Sequence, residues 1–251
     1  MARQKGLIKL KGTMGDITFY RTKDGYIARE KGGITAERLR NDPAFQRTRE
    51  NMAEFGRAGN AGKTLRRSIQ TLVSKASDFR MVSRLTKEIM KIIQTDLVNP
   101  RGQRNIIDGE VELLSGFDFN ISGKLGTGLQ APYEASLDRV TGEAKISMPA
   151  YVPAESIAAP AGATHYQLFS GGMAIHFVRE RYTAALSETA ILPIDMVATT
   201  PLDMVNQLPA ASTLPLFLVL GLSFYQEVNG EFYPLKNGSY NALQIVAVSG
   251  T

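Results

Sequence analysis

The chain has 251 residues, enough for one large domain or two smaller ones with real cores. It contains no cysteine, which excludes disulfides, a thiolate nucleophile and a cysteine-ligated metal. The net charge of +5 conceals an asymmetry: residues 1–104 carry 23 Lys+Arg against 10 Asp+Glu, whereas residues 105–251 carry 6 against 14, a basic half joined to an acidic one.

A basic half suits phosphate backbones or an acidic protein surface, and opposite halves on one chain suit head-to-tail contact between copies. The plainer reading is two solvated faces of different sign. The opening MARQKGLIKLKGTMG has no apolar stretch of signal-peptide length. The longest apolar run, Leu214 to Leu222, is far short of the roughly 20 residues that span a bilayer. The expectation is a protein without a secretion signal, away from membranes, cytoplasmic or virion-associated.

The first elements are short and glycine-punctuated. Leu7–Leu10, Ile17–Tyr20 and Tyr26–Ala28 read as strands, separated by Gly12–Asp16 and by Lys23-Asp24-Gly25, whose Asp-Gly pair favours a tight turn. Such a three-stranded meander has too little apolar face to stand alone. Leu7, Ile8, Leu10, Ile17, Phe19, Tyr20, Tyr26 and Ile27 are therefore the candidate assembly interface, on edges suited to strand addition. Lys9, Lys11, Arg21, Arg29 and Lys31 either protect those edges or bind a partner.

Asn41-Asp42-Pro43 predicts a helix start near Pro43, because an Asx side chain accepts from orphan N–H groups and proline suits the first helical position. Phe45, Met52 and Phe55 share one face, leaving Arg47, Arg49, Glu50 and Glu54 in water. Gly56, Gly59 and Gly62 predict a break with a tight helix–helix joint. A second helix carries Leu65, Ile69, Leu72 and Val73. A third, capped by Ser77-Asp78, carries Phe79, Val82, Leu85, Ile89, Ile92 and Ile93 and stops at Asn99-Pro100.

Beyond residues 101–108 the period changes to two. Phe117, Phe119 and Ile121 alternate with polar residues, as do Ala144, Ile146 and Met148 after a Thr141-Gly142 turn. His165–Ser170 and Met173–Tyr182 flank Gly171-Gly172, and Leu216–Val228 is followed by Asn229-Gly230, Glu231–Leu235 and Leu243–Val248, with both dipeptides read as hairpin turns. Leu202–Leu208 reads as one helical turn. The expected fold is α+β: residues 1–104 a basic β-meander with about three helices, residues 105–251 an acidic antiparallel β-sandwich of immunoglobulin-like type, with barrel closure as the alternative.

No residue pattern carries catalysis. Gly62-Lys63-Thr64 ends like a phosphate loop, but Arg57 stands where the first glycine belongs and no buried strand precedes it. His165 and His176, the two histidines, lie on opposite arms of the expected Gly171-Gly172 hairpin, where Glu180 would have to join them to hold a metal. Glu110 and Glu112 could share a strand face without defining a cleft. No catalytic, cofactor or metal residue is assigned, and no small-molecule substrate is implied. Nucleic-acid binding is the rival: Lys63, Arg66 and Arg67 would contact phosphates while Phe19, Tyr20 and Tyr26 stack on bases, although no helix-turn-helix, zinc-finger or RNP motif is present.

The segments GLIKLKGTMGDITFYRTKDGYIAREKGG, NDPAFQRTRENMAEFGRAG, SGFDFN and PLFLVLGLSFYQEVNGEFYPLKNGSYNAL together resemble an uncharacterised protein family of Bacteroidota over nearly the full chain. The resemblance implies a bacterial or phage-associated setting and supplies no catalytic residues. The opening pattern is also similar to small phage structural proteins. The resulting expectation is a non-enzymatic assembly protein that forms a homo-oligomer or filament.

Overall fold

The computed structural model describes residues 2–30, 33–235 and 238–250. It is an α+β protein in which every strand pairing among the described residues is antiparallel. The chain divides into two compact units, Met1–Arg49 and Glu50–Thr251.

The first unit is a four-stranded sheet in the order β1-β4-β3-β2, from β1 (Ala2–Arg3), β2 (Gly12–Met14), β3 (Ile17–Thr22) and β4 (Gly25–Glu30). The β3–β4 hairpin turns at Lys23-Asp24, and Gly25 follows with φ 117°, a conformation that favours glycine. Thr22 ties the turn by accepting from the Asp24 N–H and donating to the Gly25 carbonyl. Leu7–Leu10, expected as a strand, is instead a loop between β1 and β2, while Lys31 lies outside the described residues. Helix α1 (Ala36–Asn41) is capped by the Thr35 hydroxyl, and Asp42 caps the 3₁₀ turn Pro43–Phe45 by accepting from the Ala44 N–H at 2.9 Å. The Asx-Pro start was thus legible, with one short helix before it.

Helix α2 (Gln46–Ser68) runs unbroken through Gly56, Gly59 and Gly62, so the expected break there is corrected. A Cβ on Gly62 would lie 3.3 Å from Ile89 Cδ1, so this glycine serves close packing, whereas positions 56 and 59 face open space. The break comes at Ile69, after which α3 (Gln70–Lys75) and α4 (Met81–Thr95) follow. Leu65, Ile69, Leu72, Leu85, Ile89, Ile92 and Ile93 are buried as their spacing requires. Met52, Phe55, Phe79 and Val82, expected on the same buried stripes, are exposed.

The helices cover one face of the main sheet. Its two central strands, β7 (His165–His176) and β11 (Leu216–Val228), pair over ten residues. Strands β8 (Arg181–Glu188) and β9 (Leu192–Pro193) flank β7, while β12 (Glu231–Pro234) and β13 (Ala242–Ser249) flank β11. Odd-numbered Phe169, Met173, Ile175, Phe217, Val219, Leu243 and Ile245 join the helices in one core. Even-numbered Tyr166, Leu168, Ala174, Leu218, Leu220 and Leu222 join a second core with a small three-stranded sheet. That sheet is built from β5 (Glu134–Asp138), β6 (Glu143–Met148) and β10 (Leu202–Gln207). Two short helices, α5 (Leu125–Gly128) and α6 (Pro153–Ser156), interrupt the intervening loops. The sheets are sandwich-like, but the outer face of the larger one, solvated in an immunoglobulin-like sandwich, is covered by helices. Each fully buried aliphatic or aromatic side chain contributes about 1.5–3 kcal/mol, so two-sided burial makes this sheet the main source of stability.

Several expectations are corrected here. Gly171-Gly172 is the middle of β7 and no turn. A Cβ at 171 would press on Leu186 at 2.9 Å and Leu72 at 3.0 Å, and one at 172 on the Asn206 and Ala144 Cβ atoms at 3.0 and 3.1 Å. The glycine pair lets both neighbouring layers approach the strand. Leu202–Leu208 is strand β10 rather than a helical turn. Phe117–Ile121 forms no regular strand, although Phe117 and Phe119 hydrogen-bond along β13 through Ile245 and Leu243. The boundary between compact units falls at Arg49/Glu50 instead of residue 104, because the helices share their core with the sheet.

Candidate assembly surfaces

Among the described residues of Met1–Arg49, none is buried. In β3 and β4 the cross-strand register places Ile17, Phe19, Ala28 and Tyr26 on one face, together with Met14 of β2. Tyr20 and Ile27 point to the other. The eight candidate interface residues therefore do not form one patch: three belong to each of the first face and the preceding loop, two to the second face. An arginine lies over a tyrosine on each side, Arg21 over Tyr26 and Arg29 over Tyr20, both at 5.7 Å. This splits the aromatic residues as well, so Phe19 and Tyr26 are not continuous with Tyr20 as a base-stacking platform.

The loop before β2 has a construction that the sequence did not reveal. Gln4 pairs with Leu10 as a backbone would: its Oε1 accepts from the Leu10 N–H at 2.8 Å, and its Nε2 donates to the Leu10 carbonyl at 3.2 Å. Lys9 Nζ donates to the Gln4 carbonyl at 2.5 Å, and the Gln4 N–H continues the sheet to the Tyr26 carbonyl. The loop is thereby closed at its neck. Leu7 and Ile8 stand at its tip, 104% and 82% exposed, with Lys5, Lys9 and Lys11 nearby in sequence.

Two of the depressions in the second unit are strongly apolar. One, of ≈ 660 Å³, runs between α2 and α4 over Phe55, Gly59, Val82 and Met90, with Lys87 and Lys91 on its walls. The other, of ≈ 320 Å³, lies against residues 189–202, lined by Tyr151, Leu192, Val197, Ala198 and Leu202. Asp195 is its sole ionisable acid in the lining and no lysine or arginine lines it.

The strongly held charges serve the fold. Glu54, 1% exposed, accepts from Arg104 Nε at 2.8 Å and Nη2 at 2.9 Å and from the Gly102 N–H at 2.7 Å. The Arg104 guanidinium, more than the Gly102 amide, holds this carboxyl below its ordinary range despite burial. Burial pushes Asp96 upward, but the N–H groups of Asn99, Asn105 and Val98 outweigh it and lower its pKa. These two carboxylates tie residues 98–105 to the helices. Burial raises the pKa of Asp118, and also that of Tyr166, whose hydroxyl lies 2.8 Å from that of Tyr151.

The remaining chemical candidates are dispersed. His165 and His176 end the same strand, roughly 35 Å apart at about 3.3 Å per residue. His165 has the Glu227 carboxylate 3.7 Å away, and His176 Nδ1 accepts from the Arg179 N–H. No cluster of three metal-ligating side chains occurs among the described residues. Glu112 accepts from the Gly250 N–H. Gly62, Lys63 and Thr64 lie inside α2, where their backbone N–H groups are committed to the helix. Lys63 and Arg67 are exposed one turn apart, while half-buried Arg66 donates to the Gly62 carbonyl. Among the described residues, no helix is long and apolar enough to cross a membrane.

No family model matches the chain, and no curated protein matches it. A solved structure described as "pH-induced modulation of Streptococcus parasanguinis adhesion by Fap1 fimbriae" aligns with 53% of this chain and 94% of its own, at 15% identity and a TM-score of 0.23. Similarity at that level carries no argument about this chain.

Proposed function

We propose that the protein is a non-enzymatic structural component that self-associates through its N-terminal sheet. The observation that carries this reading is a four-stranded sheet with apolar side chains on both faces and no buried residue among those described. A sheet without a core gains its stability by being covered, and large exposed apolar side chains mark association sites. The opposite charges of residues 1–104 and 105–251 favour the basic part of one copy meeting the acidic part of the next. The setting we assign is the cytoplasm or an assembled particle.

Light scattering coupled to size-exclusion chromatography tests it. The full chain elutes as several copies, and a chain lacking residues 1–33 elutes with lower mass. A monomer at micromolar concentration and low salt, or an oligomer indifferent to the deletion, overturns the proposal. The rival reading, a nucleic-acid binder, draws on the exposed Lys63 and Arg67. It requires retardation of DNA or RNA with a steep salt dependence that weakens when Lys63, Arg66 and Arg67 are replaced by alanine.

A further inference from the structure

We propose that the Leu7–Ile8 tip of one copy seats in the pocket lined by Tyr151, Leu192, Val197, Ala198 and Leu202 of a second copy. The inference rests on the assembly reading and names the surface that receives the N-terminal unit. Two branched aliphatic side chains stand in water at the end of a loop whose neck is closed by Gln4 and Lys9. A loop already held in shape loses little conformational freedom when it binds, so more of the apolar contact is realised as affinity.

Charge separates the depressions of the second unit: those lined by Arg57, by Arg84 with Lys87 and Lys124, by Lys124, and by Lys87 with Lys91 each carry a cation, whereas the pocket at residues 189–202 carries none. Residues 1–49 carry 12 Lys+Arg against 5 Asp+Glu; Lys5 and Lys11 flank the loop in sequence, and Lys9, next to the tip, turns its ammonium to the Gln4 carbonyl at the neck. The groove between α2 and α4 has Lys87 on its wall, and Lys91 there is paired with Glu88 at 2.6 Å, so Lys87 is the like charge that the tip would meet. The pocket at residues 189–202 contains Asp195 and no cation. Glu155, exposed, stands two residues beyond lining residue Pro153. Glu188 and Asp203 adjoin lining residues too, but Lys75 and Lys145 pair with them at 2.7 and 2.9 Å, leaving Asp195 and Glu155 as the attractive charges. The volume, ≈ 320 Å³, is at the lower end of the roughly 300–1,000 Å³ typical of ligand sites and suits a small apolar plug.

Tip and pocket are different patches of one chain, so the contact is heterologous: each copy offers one tip and one pocket, and the assembly closes into a ring or extends as a filament. This geometry permits a complementation test. Leu7→Glu with Ile8→Glu removes the tip, and Ala198→Arg or, separately, Thr200→Arg obstructs the pocket with a cation at an exposed position. Each full-length variant, checked for native circular dichroism, should self-associate at least tenfold more weakly than the natural chain in sedimentation velocity. Mixing a tip variant with a pocket variant leaves one intact tip and one intact pocket per pair, and should yield a 1:1 dimer that grows no further. A natural chain that is monomeric throughout overturns the assembly reading and this inference with it. An oligomeric natural chain whose tip or pocket variants associate unchanged, or whose variants form no pairs on mixing, overturns the docking site alone.

Discussion

Replacing Arg104 by alanine should destabilise the protein by about 3 kcal/mol at neutral pH, within the ~3–5 kcal/mol lost when one partner of a buried ion pair is removed. The lower end applies because the Arg104 side chain retains 19% exposure while Glu54 retains 1%. The variant leaves a buried carboxylate that still accepts from the Gly102 N–H. Arg104→Lys keeps the charge but loses the two-pronged contact, and should cost less. The pH dependence follows from the direction of the shift. Glu54 has a folded pKa below its ordinary 4.5, so its contribution is fully present above about pH 4.5 and is lost as pH falls through the folded value. In Arg104→Ala burial raises that pKa instead, so protonation relieves the variant as pH falls and the gap to the natural chain narrows. Urea denaturation at pH 7 and pH 4 reads both. A loss under about 1 kcal/mol at pH 7, or a gap that widens in acid, would refute the reasoning.

Other consequences concern packing and the buried hydroxyl pair. Gly221→Ala places a Cβ 2.2 Å from the Phe169 ring and 2.8 Å from the Ala242 carbonyl oxygen, so it should cost about 3 kcal/mol, the upper part of the overpacking range, in urea denaturation. Tyr166→Phe leaves the Tyr151 hydroxyl buried without its partner and should cost about 1–3 kcal/mol, whereas the double change Tyr151→Phe with Tyr166→Phe should cost less than the sum of the single ones in a double-mutant cycle.

Elements with one buried face were legible in the sequence, whereas of the two central strands buried on both faces β11 was legible and β7 was not. Ala144, Ile146 and Met148 alternate with half-exposed residues and form β6 as expected. Leu216–Val228 ends at an Asn229-Gly230 turn, where both residues have positive φ, and its length announces it. Strand β7 is covered on both sides, so it lacks alternation, and its two central glycines imitate a turn while actually admitting neighbouring layers. The charge change near residue 104 was a poor guide to folding units because surface charge does not define a core: Leu65 and Leu85 share theirs with Phe169 and Phe217. Of the candidate interface, Ile17, Phe19, Tyr20, Tyr26 and Ile27 fall on paired strands, whereas Leu7, Ile8 and Leu10 fall on a loop. No local pattern announces that loop, since its closure depends on contacts of the Gln4 and Lys9 side chains with backbone six and five residues away.

The central claim is that the N-terminal sheet is stabilised by a second copy, and hydrogen exchange across a dilution series tests it most directly. Amides of Ile17–Thr22 and Gly25–Glu30 are hydrogen-bonded within a sheet that has no buried residue among those described, so they should open readily in an isolated chain. Those amides should exchange slowly at concentrations where the assembly forms and at least tenfold faster after dilution to the single chain, while Leu216–Leu222 in the twice-covered β11 remains protected throughout. Exchange in Ile17–Glu30 that is equally slow at every concentration would contradict the account.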